Sequence, residues 1–200
     1  MLGAIPTEEL IKETAKKVFF QQGHLKATTQ EIADAAGVNR ALIHYYFRSR
    51  NLLFDKVLQE AMSGFMHKVL SVLEAEVPFK EKIKVFIQTF IGISAEFPYL
   101  QNFIVTEMVK QPEKMTVFHP QHLDEVAKKL NEELAQEIKN NTVAPTTLEH
   151  FIVNIMSLCS YPFIAQPIIQ TIFSLNQATY QEFLQERKEI IFKIIFKEKS

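Results

Sequence analysis

Along the 200 residues, apolar positions recur at intervals of three and four, the spacing of helices that bury one face; nowhere do they alternate as strand residues would. Ile11, Ala15, Val18 and Phe19 form the first stripe. Thr7 opens it as a cap, Glu8 and Glu9 sit at the positive end of its dipole, and Gly23 closes it. Thr28 followed three residues later by Glu31 predicts a reciprocal capping box and a short helix to about Ala36. Gly37 supplies the left-handed backbone that stops this helix, and Asn39 caps another that runs to Phe47. Two short helices this close in sequence make a helix-turn-helix.

From Arg50 to Val77 no proline intervenes, and Leu53, Val57, Ala61, Phe65 and Val69 keep an apolar stripe over about seven turns. Pro78 and Phe79 begin a further helix, with Ile83, Phe86, Ile87, Phe90 and Ile91 apolar, that ends before Pro98; Tyr99 to Lys110 reads as a shorter one. Two prolines between Gln111 and Pro120 predict a loop. His122 to Asn140 is strongly amphipathic. Thr146 with Glu149 predicts a second capping box, opening a helix that is apolar nearly all round from Phe151 to Cys159. Pro162 and Pro167 are expected to break the chain, with a short helix to Phe173, and Asn176 to cap a last helix reaching about Lys197. The expectation is an all-α fold of nine or ten helices, with a helix-turn-helix domain over 1–54 joined by the long helix to a helical domain over 55–200.

At 47% hydrophobic and 22% charged residues, the chain has the composition of a globular protein able to bury a core. Its formal net charge of −1 is unlike that of a typical nucleic-acid binder. Residues 1–55 carry seven Lys/Arg against six Asp/Glu, but Arg40, Arg48 and Arg50 fall together, flanked by Lys16, Lys17 and Lys26, so the local potential can depart from the net charge. A single cysteine, Cys159, excludes an internal disulfide and reads as a small packed residue. There is no signal-peptide pattern, and proline or charge interrupts every long apolar run, which predicts a cytoplasmic protein with no membrane partner.

The chemistry sits on the helix from Asn39 to Phe47. At 100° per residue, Leu42, Ile43, Tyr46 and Phe47 share one arc and Arg40, Ala41, His44, Tyr45 and Arg48 the other. The second arc offers a guanidinium, an imidazole and a phenol to phosphates or base edges, with a small Ala41 that permits close approach to a groove floor. Arg50 stands at the next helix start, where backbone N–H groups also favour an anion, and Lys26 lies in the loop before Thr28. A phosphate backbone is the partner these groups suit, and double-stranded DNA is the partner expected. A phosphate-cradling Gly-rich loop and a nucleophile elbow are both missing from the sequence, so neither an enzyme nor a cofactor is expected. His119 and His122 offer two metal ligands where a closed site needs four, so no metal is expected. A helical adaptor without DNA binding is the alternative.

Ala15, Phe19 and Gly23, then Thr28, Ile32 and Ala33, then Gly37-Val38, Ile43, Tyr45, Phe47 and Leu53 together resemble the DNA-binding domain of the tetracycline-repressor (TetR) family of transcriptional regulators. His44 and Tyr46 stand where that family more often has Tyr and His, and Arg50 where Lys is usual. The resemblance implies a ligand-responsive repressor in which Lys26, Thr28, Thr29, Asn39, Arg40, Ala41, His44, Tyr45, Arg48 and Arg50 meet a palindromic operator. It also implies a small, at least partly apolar effector within the helical body, for which Met62, Phe65, Met66, Phe86, Phe90, Phe103, Met108 and Phe151 are candidate pocket residues. A homodimer is expected from the helices 146–160 and 176–197, which in that family form a four-helix bundle. Phe151, Ile152, Ile155, Met156, Phe183, Leu184, Ile191 and Ile195 are its expected interface.

Overall fold

The computed structural model describes residues 5–110 and 123–197, with the backbone alone over 107–110. Among the described residues there are ten α-helices and no strand: α1 Thr7–Lys16, α2 Thr29–Ala36, α3 Arg40–Phe47, α4 Arg50–Glu74, α5 Phe79–Glu96, α6 Leu100–Lys110, α7 Leu123–Lys139, α8 Leu148–Ile164, α9 Gln166–Ile172 and α10 Gln177–Ile195. The loop expected over 111–120, with His119 and His122, lies outside the described residues.

Local signals account for most of these boundaries. Thr28 accepts from the Glu31 N–H at 3.2 Å while its own N–H donates back to the Glu31 carboxylate at 2.7 Å, so the expected capping box is complete. Gly37 ends α2 at φ +66°, and Asn39 and Asn176 cap α3 and α10 as expected. Two caps fall one residue from the expected place. Pro6 precedes α1 with no side-chain cap and Thr7 is already helical; Thr147, not Thr146, accepts from the His150 N–H at the start of α8. Where two threonines adjoin, either hydroxyl can cap, and the turn geometry selects one.

The buried side chains form two clusters. The first joins α1–α3 through Ile11, Phe19, Phe20, Ile32, Ile43 and Phe47, but continues along α4 to Met62 and takes in Phe97, Leu100 and Ile104 from the α5–α6 corner. The N-terminal core therefore does not close at residue 54. α1 winds into a π-helical turn over Lys17–Gln21, and Gly23 follows at φ +74°. A Cβ on Gly23 would stand 2.7 Å from the Tyr99 ring, so only glycine permits both the turn and the contact. The Tyr99 N–H donates to the Phe20 carbonyl at 3.1 Å, and the Phe20, Phe54 and Phe103 rings lie within 5.4–6.0 Å of one another. The head is thus bolted to the body at two places: along α4 and at the α5–α6 corner.

The second cluster fills the body between α4, α5, α7, α8 and α10. Within it Lys82 is fully buried and its Nζ meets both Glu133 oxygens at 2.8 Å, an ion pair that ties α5 to α7. Pro162 does not break α8, which continues to Ile164 before the chain turns by 72° into α9. Proline lacks the N–H that would reach the Leu158 carbonyl, and the Arg187 guanidinium from α10 takes that place at 3.5 Å. The carbonyl of Pro162, left over at the bend, accepts from the buried Tyr180 hydroxyl. Two side chains of α10 thus satisfy the backbone groups that proline and the bend leave open, and the helix survives.

Candidate nucleic-acid interface

α3 is an eight-residue helix held by a narrow seam. Ile43 and Phe47, one turn apart, enter the N-terminal core, and Leu42 flanks them half-buried. Everything else on α3 points outward. Arg40, Ala41, His44, Tyr45 and Arg48 are exposed as expected, with Tyr45 67% accessible. Tyr46 is exposed as well, at 38%, which corrects its assignment to the packed arc: a seam of two residues leaves room for no third aromatic. Its ring lies 5.0 Å from that of Tyr45, nearly perpendicular, so the two phenols brace each other edge to face.

The polar groups around α3 divide into those occupied and those still open. The Arg40 Nε donates to the Thr29 hydroxyl at 3.0 Å, tying the start of α3 to the start of α2 and leaving its terminal nitrogens outward. Asn39 accepts from the Ala41 N–H at 2.8 Å, which leaves its amide NH2 as a donor. The Thr28 hydroxyl is engaged with Glu31, whose carboxyl pKa is lowered chiefly by the Thr28 backbone N–H and then by that hydroxyl. Lys26 is exposed in the preceding loop. Arg48 ends α3 at φ +64°, a left-handed residue whose side chain is also exposed.

Arg50 departs from its expected role as a free phosphate ligand. It is half-buried, donates to the carbonyls of Ala27 at 3.2 Å and of Leu25, and lies 5.1 and 5.2 Å from the Phe19 and Phe54 rings. A guanidinium with this many internal partners fixes the loop that carries Lys26 and the α2 cap. Ser49, overlooked in the sequence, caps α4 by accepting from the Leu52 N–H at 3.2 Å and so sets where the long helix leaves the head. Its signal was a hydroxyl directly before an uninterrupted apolar stripe.

The expected pocket residues divide between the two clusters. Met62 and Phe103 belong to the N-terminal cluster, whereas Phe65, Phe86, Phe90 and Phe151 pack in the body with Met66 at its margin. Phe65 meets Phe90 edge to face at 5.0 Å, so these rings fill one another's space. The Met108 side chain lies outside the described residues. None of these residues lines the cleft of about 220 Å³ that opens between the α1 end, the α5–α6 corner, the α8–α9 bend and α10.

The expected interface residues need a similar correction. Phe151, Ile155, Leu184 and Ile191 are buried in the subunit's own core, and Ile152, Phe183 and Ile195 are half-buried against it; Met156 alone of the eight is exposed. The apolar residues that α8 and α10 turn outward are instead Val153, Met156, Tyr161 and Ile164, and Ile190 and Ile194, with Val153 and Ile194 both 58% accessible. Val153, Met156 and Ile164 fall within one helical arc, and so do Ile190 and Ile194 one turn apart, so each helix turns an apolar stripe outward. On a helix apolar all round, the pattern cannot tell the inner stripe from the outer one.

Among the described residues no group of three or more His, Cys, Asp or Glu is placed to hold a metal ion, and no single helix is long and apolar enough to cross a membrane.

Residues 11–57 match the family model described as bacterial regulatory proteins, tetR family. The HTH-type transcriptional regulator YhgD of Bacillus subtilis is 29% identical over 80 residues, covering 40% of this chain and 42% of that protein. YttP of the same organism, named a probable HTH-type transcriptional regulator, is 21% identical over 97% of this chain and 90% of its own length. A crystal structure of a mutant HlyIIR protein superposes with a TM-score of 0.58 at 21% identity, covering 96% of this chain and 98% of the other, which shows a shared fold. The chain spans less than half the length of YhgD.

Proposed function

We propose that this chain, whose residues 11–57 match the tetR family of bacterial regulatory proteins and whose fold matches a regulator of that family, represses transcription as a homodimer on a palindromic operator and is released by a small-molecule effector. The observation that carries the DNA half of this reading is the outward face of α3. Arg40, His44 and Tyr45 are exposed beside Asn39, with Arg40 oriented by Thr29. In a major groove, Arg40 suits the O6/N7 edge of guanine, Asn39 suits adenine or phosphate, and Ala41 lets the helix approach. Lys26 and Arg48 flank it for backbone phosphates, with Arg50 holding the loop beneath.

The dimer rests on the outer stripes of α8 and α10. A two-fold axis would lay Val153, Met156 and Ile164 of one subunit against the same helices of its mate, covering an apolar surface that water would otherwise wet. Two heads set by such an axis meet half-sites about one helical turn, roughly 34–36 Å, apart. The effector half follows from the two bolts between head and body: a ligand that shifts either α4 or the α5–α6 corner must move Gly23 and Phe20 with it. Ligand and operator then oppose each other reciprocally.

Selection of bound sequences from random duplex DNA with the full chain, read by gel shift, tests this reading. The expected result is enrichment of an inverted repeat. Recovery of unenriched DNA at every round would overturn it.

A further inference from the structure

The cleft between head and body has a chemistry that neither the packed aromatic core nor the α3 face shares. Four separated segments build it: Gln21 at the end of the first helix, Glu96 at the end of α5, Phe163 beside the α8–α9 bend, and Gln177, Tyr180 and Gln181 on the first turns of α10. Phe163 and Tyr180 are fully buried and form the floor, while Gln21, Glu96 and Gln177 are exposed at the rim. The Tyr180 hydroxyl is held by the Pro162 carbonyl, so the ring is fixed in place and its oxygen is already engaged. Gln166, also in the wall, turns its amide to Gln170 at 3.4 Å.

The charge pattern selects the ligand. The lining contains one carboxylate, from Glu96, and no Lys, Arg or His. An anion would lose hydration without meeting a cation. A primary ammonium ion meets a carboxylate and amide carbonyls that can accept from its three N–H groups. At about 220 Å³ the cleft is smaller than sites for drug-sized molecules, which begin near roughly 300 Å³, so the ligand is small.

We propose that this cleft binds a small primary alkylammonium ion, clamped between Gln21 of the head and Gln177 and Gln181 of the body. The proposal deepens the effector reading above and rests on it for the regulatory consequence, not for the binding itself. Such a ligand bridges Gln21, two residues before Gly23, to α10, so its occupancy fixes the angle at the second bolt.

Calorimetry on the full chain with three probes of one shape tests it: cyclohexylammonium, cyclohexanol and cyclohexanecarboxylate. The expected result is one cyclohexylammonium per subunit, with the alcohol and the acid bound at least about tenfold more weakly, the factor that corresponds to losing one hydrogen bond between charged groups. Glu96→Gln and Gln181→Leu should each weaken the ammonium by a similar factor with an unchanged melting curve, and Glu182→Gln on the same helix should leave it unchanged. No saturable binding, equal binding of all three probes, or binding untouched by both cleft variants would overturn the site. Operator affinity measured with and without saturating cyclohexylammonium separates the two readings. If the ammonium binds as stated and the operator affinity does not move, the effector role fails while the site stands.

Discussion

The outward faces of α3 and of α8 with α10 are both left uncovered by the subunit, yet they differ in kind. On α3 the open groups are a guanidinium, an imidazole, two phenols and an amide; on the other pair they are Val153, Met156, Ile164, Ile190 and Ile194. A polar exposed face is at rest in water and gains only from a partner that offers charge or matched hydrogen bonds. An apolar exposed face gains from any close-fitting cover. The first suits a polyanion read by direction, the second another folded surface, and the same helical geometry serves both because only the side chains differ.

Changing the apolar face should have the largest effect. Met156→Glu combined with Ile194→Glu leaves the inner core intact, so the chain should stay folded but sediment as a monomer. It should lose operator affinity by about a hundredfold or more, since the second head no longer binds as part of one molecule. Ile155→Glu points inward and should instead unfold the body, because a buried unpaired carboxylate costs several kcal/mol on the order of the whole stability. A dimeric double variant, or a folded Ile155→Glu chain, would show that the inner and outer stripes have been exchanged in this account.

Within the head, two arginines should separate contact from support. Arg40→Ala should cost about 1–3 kcal/mol against the selected operator and relax preference at one base position. Arg50→Ala should lower the melting temperature by loosening the Leu25 and Ala27 carbonyls, and weaken all duplexes alike without removing a phosphate contact, so the slope of affinity against salt stays as in the parent. Titrations at several salt concentrations, with parallel thermal melts, distinguish the two. A flattened salt slope in Arg50→Ala would return that residue to the phosphate backbone.

Alkaline pH should act on the body through two buried groups. Burial pushes the Cys159 thiol and the Tyr180 phenol up to about 12 each, from ordinary values of 9.0 and 10.0. Because these groups ionise first in the unfolded chain, the stability they contribute is constant below about pH 9 and falls as pH rises from there toward 12. Cys159→Ala should remove the earlier part of that fall in urea melts; a slope unchanged in the variant would assign it elsewhere.

How much of this was legible in the sequence depended on how local the signal was. Thr28 with Glu31, Gly37 and Asn39 each act within four residues, and each did what its chemistry dictates. Arg50 failed because a long side chain can reach back across 23 to 25 residues to Ala27 and Leu25, which no window contains. Pro162 failed because Arg187, 29 residues beyond Leu158, takes up the carbonyl that proline orphans. Lys82 was passed over although Phe79, Ile83 and Phe86 place it on their own face; its partner Glu133 lies 51 residues on. The cleft draws on residues from Gln21 to Leu184 and has no sequence signature at all. Apolar content located the body's helices, but on α8 only the packing decided that Ile155 faces in and Met156 out.

The central claim is that two α3 helices, fixed by one apolar interface, read two half-sites together. Anisotropy titration of the full chain against the selected inverted repeat, and against the same repeat with about five base pairs inserted at its centre, tests this directly, since the insertion turns one half-site to the opposite side of the duplex. The account predicts that affinity for the lengthened repeat falls to that of a single half-site, and that an insertion of about ten base pairs, a full turn, does not restore it beyond the reach of a rigid dimer. Equal affinity for the parent and the half-turn insertion would contradict it, for then each subunit would bind alone.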